Sequence, residues 1–185
     1  MHKRHGEIVY RVLRLQLQHH VGRLLEGGLE ESSMLAMVMG QRHLESSWKR
    51  YCDRIIQLFK MGIPIACKTH KPKDEPHLQE ICDGILKAHD QDLVREFPFM
   101  VWSSSLTKPD WSAESLGLWV ELKYVRKKAD IRPITEAIAA DITKYSDNRR
   151  RILFVVYDPS HLVTDEQGFS EPILKREGML IHFLR

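Results

Sequence analysis

From Glu7 to Leu25 the apolar residues Ile8, Val12, Leu13, Leu15, Leu17, Val21, Leu24 and Leu25 recur mostly at three- and four-residue steps, which predicts a helix that ends at Gly27-Gly28. The same periodicity predicts helices over 30–39 and about 42–61, the latter with Trp48, Tyr51, Ile55, Leu58 and Phe59 on one face. The stretch 68–76 has no aliphatic side chain and reads as a linker. A helix over about 76–89 follows, with Leu78, Ile81, Ile85 and Leu86 apolar and Pro76 in the first turn, where a missing N–H costs little.

Two strand-like runs, 93–102 and 116–125, flank a turn-rich segment and predict a hairpin. The Ala-rich segment 134–145, with Ile134, Ile138 and Ile142 at four-residue steps, predicts a helix. It connects 116–125 to the apolar run 151–157, so those two strands can lie parallel through a right-handed crossover. A last strand is expected over 179–184. The order implies an α/β sandwich with three segments: a helical region over 1–67, a linker over 68–76 and a catalytic-sized domain over 77–185.

The length of 185 residues suits one ordinary domain with a small helical appendage, and 43% hydrophobic content is normal for a packed core. A net charge of +3 does not by itself imply nucleic-acid binding, which would need a local basic patch. The three cysteines, Cys52, Cys67 and Cys82, lack CxxC spacing and read as reduced, buried thiols rather than a disulfide or zinc framework. Residues 1–25 lack a signal peptide's apolar run, and no stretch approaches the roughly 20 apolar residues that span a bilayer. A cytoplasmic protein is expected.

The candidate chemistry lies in KPDW and WVELKYV. A strand's period of two sends Glu121 and Lys123 to one face and Leu122 to the other. Asp110, eleven positions before Glu121, can fold back through a bend so that the two carboxylates share one ion. Hard oxygen ligands favour Mg2+ or Mn2+. Such an acid-acid-lysine set can hold a cation beside a scissile phosphate and supply positive charge to a developing oxyanion. ExK on a strand is also common as a solvated charge pair, and only the flanking context raises it above that.

That context resembles the PD-(D/E)XK restriction-endonuclease-like superfamily and, within it, the DpnII/MboI-type nuclease domain. The resemblance covers about Glu75 to Phe169: Asp110, WVELKYVRK, the helix ending AADITKY, ILFVVYDPS and Gly168-Phe169. It implies an αββαββ core, a central mixed sheet flanked by helices, carrying a metal-dependent endonuclease site. Asp110 and Glu121 would be cation ligands and Lys123 the catalytic lysine. Glu80 would be an auxiliary acid at the metal, or else a solvent-facing helix residue.

Asp141 and Tyr145 share a helix face that either borders the cleft and orients Lys123 or simply packs on the sheet. Arg126, Lys127, Lys128 and Lys144 are expected to contact nucleic-acid phosphates, the alternative being a solubilising surface. Short connections leave little room for elements that read base edges. The resemblance therefore implies an effector endonuclease of bacterial anti-phage defence, acting on DNA. Its target would be set by self-association or a regulatory subunit through the N-terminal helices. A catalytically inactive nucleic-acid-binding or assembly module of the same fold is the alternative.

Overall fold

The computed structural model describes residues 31–89, 92–97, 100–102, 105–145 and 150–185, with side chains described outside 31–46, 100–102 and 105–106. The helix expected over 7–25 lies outside these residues. Four α-helices are present among them, α1 (Glu31–Ala66), α2 (Glu75–His89), α3 (Ile131–Tyr145) and α4 (Glu166–Leu174). The strands are β1 (Val94–Arg95), β2 (Met100–Trp102), β3 (Ser105–Thr107), β4 (Trp111–Ala113), β5 (Leu118–Tyr124), β6 (Arg151–Tyr157) and β7 (Met179–Leu184). The chain divides into two units between Glu45 and Ser46, and the second carries everything that follows.

A five-stranded mixed sheet in the order β1-β4-β5-β6-β7 forms the centre. β1 and β4 run antiparallel to their neighbours up to β5, whereas β5, β6 and β7 are mutually parallel. The parallel pair β5–β6 is joined through α3, as a βαβ crossover requires. All seven residues of β5 are buried, because both faces of the sheet are covered.

On one face Leu118, Val120, Leu122 and Tyr124 pack with Leu153 and Val155 against Trp48, Cys52, Ile55, Phe59 and Ile63 of α1 and Leu78, Cys82 and Leu86 of α2. On the other, Trp119, Ile152, Phe154 and Val156 pack against Ile134, Ile138, Ile142 and Tyr145 of α3 and Ile173 of α4. The alternation along β5 thus puts Glu121 and Lys123 on the face that α3 covers.

Several expectations are corrected. The two helices predicted over 30–39 and 42–61 are one helix, since Gly40 costs only about 1 kcal/mol in a helix interior and does not force a break. The 68–76 stretch, expected as a linker, is tied to the end of β5. Pro72 is buried beneath the Tyr124 hydroxyl, which donates to its carbonyl at 3.4 Å, and Arg126 donates to the Lys73 carbonyl at 3.2 Å.

The run 93–102 is not one strand. Its two ends belong to different sheets, and β2 pairs with β3 in a separate two-stranded ribbon. The antiparallel partner of β5 is instead β4, inside the segment read as turn. Polar Ser112 hid it, although Trp111, Ser112 and Ala113 are all buried. α4 went unpredicted because Gly168 and Pro172 interrupt it, while its start is secured by Asp165, whose side chain accepts from the Gly168 N–H.

The three cysteines are free, with Cys52 and Cys82 buried and Cys67 half-buried. No helix among the described residues is long and apolar enough to cross a membrane.

Candidate active site

β4 has only three residues, and the site is built just ahead of its first. Trp111 opens β4 opposite Val120. Trp111 is anchored there by its indole N–H, which donates to Asp83 of α2 at 3.2 Å, and by contact with the Phe59 ring. Beyond it, β5 continues for four residues, and no strand among the described residues pairs with it on that side. The outward N–H groups of Leu122 and Tyr124 would be left orphaned, at the cost of an unmade buried hydrogen bond.

Two carboxylates fill the gap. Asp110 Oδ2 accepts from the Leu122 N–H at 2.7 Å, and Glu75 Oε2 accepts from the Tyr124 N–H at 3.1 Å. The other oxygen of Asp110 accepts from Gln79 Nε2 at 2.8 Å. Glu75 and Gln79 lie four apart on α2 and so share one face.

Across the pocket, α3 holds the strand residues. Glu121 Oε1 accepts from the Tyr145 hydroxyl at 2.8 Å, while Glu121 Oε2 lies 3.3 Å from Lys123 Nζ. Lys123 Nζ is closer still to Asp141 Oδ2, at 2.9 Å, and the second oxygen of Asp141 accepts from Lys144 at 3.2 Å. Tyr145 is fixed in turn by an edge-on contact with Trp119, ring centres 4.7 Å apart.

These groups feel one another. Burial pushes the Asp110 carboxyl up to about 6 against the pull of the Leu122 N–H and the Lys123 ammonium, with Glu75 and Asp141 adding to the rise. Burial and then the charge of Asp110 push Glu121 up to about 8, partly offset by Lys123. Burial also raises the Glu75 carboxyl, which Lys123 opposes and Asp141 reinforces. Burial works against the Lys123 ammonium, but Glu121, Asp141 and Asp110 outweigh it and hold its pKa above the ordinary lysine value. Lys123 is therefore a charged donor at neutral pH.

The donor set suits a hard divalent cation. Each oxygen of Asp110 and Glu121 is engaged by one protein donor and keeps a second lone pair. The repulsion between the half-buried Asp110 and the buried Glu121 is what a cation would relieve. No group of three His, Cys, Asp or Glu side chains able to hold a metal occurs among the described residues. The two acids fit an ion that retains several waters, as Mg2+ does, rather than one needing a full protein cage.

Of the residues singled out from the sequence, Asp110, Glu121 and Lys123 converge on one pocket, joined by Asp141 and Tyr145. Glu80 does not join them. It is exposed on α2 and is not among the charges that perturb Asp110 or Glu121. Glu75, on the same helix, lies beside Lys123 and Asp141 instead, and sequence reasoning singled out neither Glu75 nor Gln79. The signal available was their four-residue spacing at the start of α2, since Glu75 sits where a helix favours an acid and reads as an ordinary first-turn residue.

Arg126, Lys127 and Lys128 lie just past the end of β5 and are exposed. Arg126 is engaged with Asp130 and the Lys73 carbonyl. Lys144 is about one-third exposed, at 35%, and reaches inward to Asp141.

A family model, that of the DpnII-MboI restriction endonucleases (REase_DpnII-MboI), matches residues 42–181. The chain belongs to that family. As a DpnII-MboI family member it is part of the PD-(D/E)XK-like nuclease superfamily, and its five-stranded mixed sheet with flanking helices fits a restriction-endonuclease-like fold. The DpnII-MboI match starts within α1 and so takes in the 42–67 region as well as the site. Membership supports a nuclease, with DNA as the suggested substrate.

The chain is also 28% identical over 94 residues to an uncharacterized 12.4 kDa protein in the IE1-IEN intergenic region of Autographa californica nuclear polyhedrosis virus. That alignment covers 50% of this chain and 87% of the viral protein. No solved structure gives a significant match.

Proposed function

We propose that this protein is a divalent-cation-dependent endonuclease that hydrolyses phosphodiester bonds in DNA. The observation that supports it best is the convergence of Asp110, Glu121 and Lys123 in one cluster beside the start of β4, where the charge of Asp110 raises Glu121 and both acids raise Lys123. Asp110 and Glu121 would hold Mg2+ or Mn2+, with Glu75 in place of Glu80 as the neighbouring acid. When bound, such an ion polarises the scissile phosphate and acidifies the attacking water.

The chain's own residues do the rest. Gln79 and the Leu122 N–H fix the Asp110 carboxylate at one wall of the pocket. Lys123, buried and charged, offers positive potential to the oxyanion that develops as the phosphorus–oxygen bond forms, and burial strengthens that interaction. Its raised pKa makes it a poor proton acceptor at neutral pH, so its role is to stabilise charge. Lys127 and Lys128 sit in the exposed turn after β5, where they would contact backbone phosphates, joined by Arg126 and Lys144.

The test is cleavage of plasmid and linear duplex DNA, single-stranded DNA and RNA with Mg2+ or Mn2+, against EDTA and against Glu121→Gln. Duplex cleavage that needs the metal and is lost in Glu121→Gln is the expected result. Metal-independent cleavage, or full activity in Glu121→Gln, would overturn the reading. The anti-phage setting implied by the resemblance is a separate expectation, and the similarity to a protein of an insect virus lends it no weight.

A further inference from the structure

α3 presents two side chains to the strand that carries the chemistry, and they engage different groups. Tyr145 engages Glu121 and Asp141 engages Lys123. The Tyr145 hydroxyl has one proton and two acceptors in reach, Glu121 Oε1 at 2.8 Å and the Lys108 carbonyl at 3.3 Å, and the carboxylate is the nearer and the stronger acceptor. The Thr107 hydroxyl also bonds to Tyr145, and the ring is held edge-on by Trp119. The phenol is thus immobilised from three sides before it reaches Glu121.

We infer that Tyr145 is a positioning residue for the cation site: it pins Glu121 Oε1 so that the remaining lone pairs of that carboxylate face the space shared with Asp110. Asp141 does the corresponding work for the amine alone. When a cation draws on Glu121, Lys123 loses much of its 3.3 Å partner, and the 2.9 Å bond to Asp141 keeps the ammonium in the pocket. Lys144 shares Asp141 from the more exposed side and helps hold the carboxylate in place. The inference rests on the nuclease reading, since it assigns second-sphere roles within that site.

The two roles separate experimentally. Tyr145→Phe removes one oxygen and keeps the ring against Trp119, whereas Asp141→Asn keeps the shape and removes the charge. Titration with Mn2+ alone, followed by calorimetry, reads the cation site without turnover. Tyr145→Phe is expected to weaken Mn2+ binding by about 10- to 100-fold, the usual cost of losing an outer-sphere hydrogen bond to a ligand. It should lower kcat with KM for duplex DNA unchanged. Asp141→Asn removes a negative charge felt by both acids and is expected to weaken Mn2+ binding by a smaller factor than Tyr145→Phe while lowering kcat.

Thr107→Val, which loosens the phenol without touching it, should shift Mn2+ binding in the same direction as Tyr145→Phe by a smaller factor. It serves if Tyr145→Phe does not fold. Equal Mn2+ affinity in the parent, Tyr145→Phe and Thr107→Val overturns the inference while leaving the nuclease reading intact. If the parent protein neither binds Mn2+ nor cleaves DNA, both fall together.

Discussion

Glu75 and Asp110, 35 residues apart in sequence, accept the two successive outward N–H groups of β5, those of Tyr124 and Leu122. The main chain of the strand thereby sets the spacing of two acids brought from different elements. Glu75 also lies near enough to Lys123 for each to perturb the other's surroundings. Replacing Glu75 with Gln should keep the bond to Tyr124 through the amide oxygen but remove a charge from the pocket. We expect cleavage to fall by about 10-fold or more, the scale of outer-sphere losses at metal sites. Glu80→Gln, at an exposed position one residue past Gln79, should cleave as the parent does. Parallel initial rates at saturating Mg2+ decide between the two acids.

The metal-free protein should lose stability as pH rises through neutrality. Both acids have folded pKa values above their ordinary ones, Asp110 at about 6 and Glu121 at about 8. Between the ordinary carboxylate range and those values the folded chain binds more protons than the unfolded chain, so unfolding free energy falls with rising pH. The pair titrates jointly, so the decline is a property of both groups. Melting in EDTA from pH 4 to 9 should show Tm falling from the ordinary carboxylate range up to about pH 8, more steeply below about 6, where both groups contribute. The Asp110→Asn, Glu121→Gln double variant should flatten that decline, and saturating Mg2+ should reduce it by competing with the protons. A metal-free Tm that climbs over the same window would contradict this electrostatic account.

Salt dependence reports on the turn after β5. Each phosphate neutralised by a lysine contributes a slope of about −0.9 in log affinity against log salt on duplex DNA. Lys127→Ala with Lys128→Ala should therefore make the slope shallower by up to about 2 and weaken binding alike for unrelated sequences. Filter binding in Ca2+, which supports association with slow turnover, across a salt series would measure it. A slope unchanged from the parent would place the DNA elsewhere.

How far the site could be read from the sequence follows from how local each signal is. Glu121 and Lys123 are two residues apart on one strand, and the period of two alone puts them together. The β5–α3–β6 crossover was equally legible, because its apolar periodicities are long and unbroken. Asp110 could be brought to Glu121 only by supposing a bend, since its position depends on β4, a three-residue strand with a buried serine at its centre. Glu75 and Gln79 were missed for a stronger reason. Their meaning depends on which N–H groups of β5 lack a partner, and that is decided by where a different strand ends. Their four-residue spacing on α2 marks a shared face but does not say which N–H groups that face meets.

The five-residue difference between choosing Glu80 and finding Glu75 is more than one helical turn, about 1.4 turns at 3.6 residues each. It carries the side chain from the face of α2 that meets β5 round to solvent. An acid on this helix was expected at Glu80, and the one that lies beside the cluster is Glu75.

The brevity of β4 has a consequence for how such a protein could be switched off. Lengthening that strand by four residues in register would offer Leu122 and Tyr124 ordinary carbonyl partners, and both acids would be evicted from the amides that now seat them. Activity could then vanish from a chain in which every acid and every lysine discussed above is still present. For a fold like this one, counting the expected side chains is a poor guide to competence, and the reach of a neighbouring ladder is a better one.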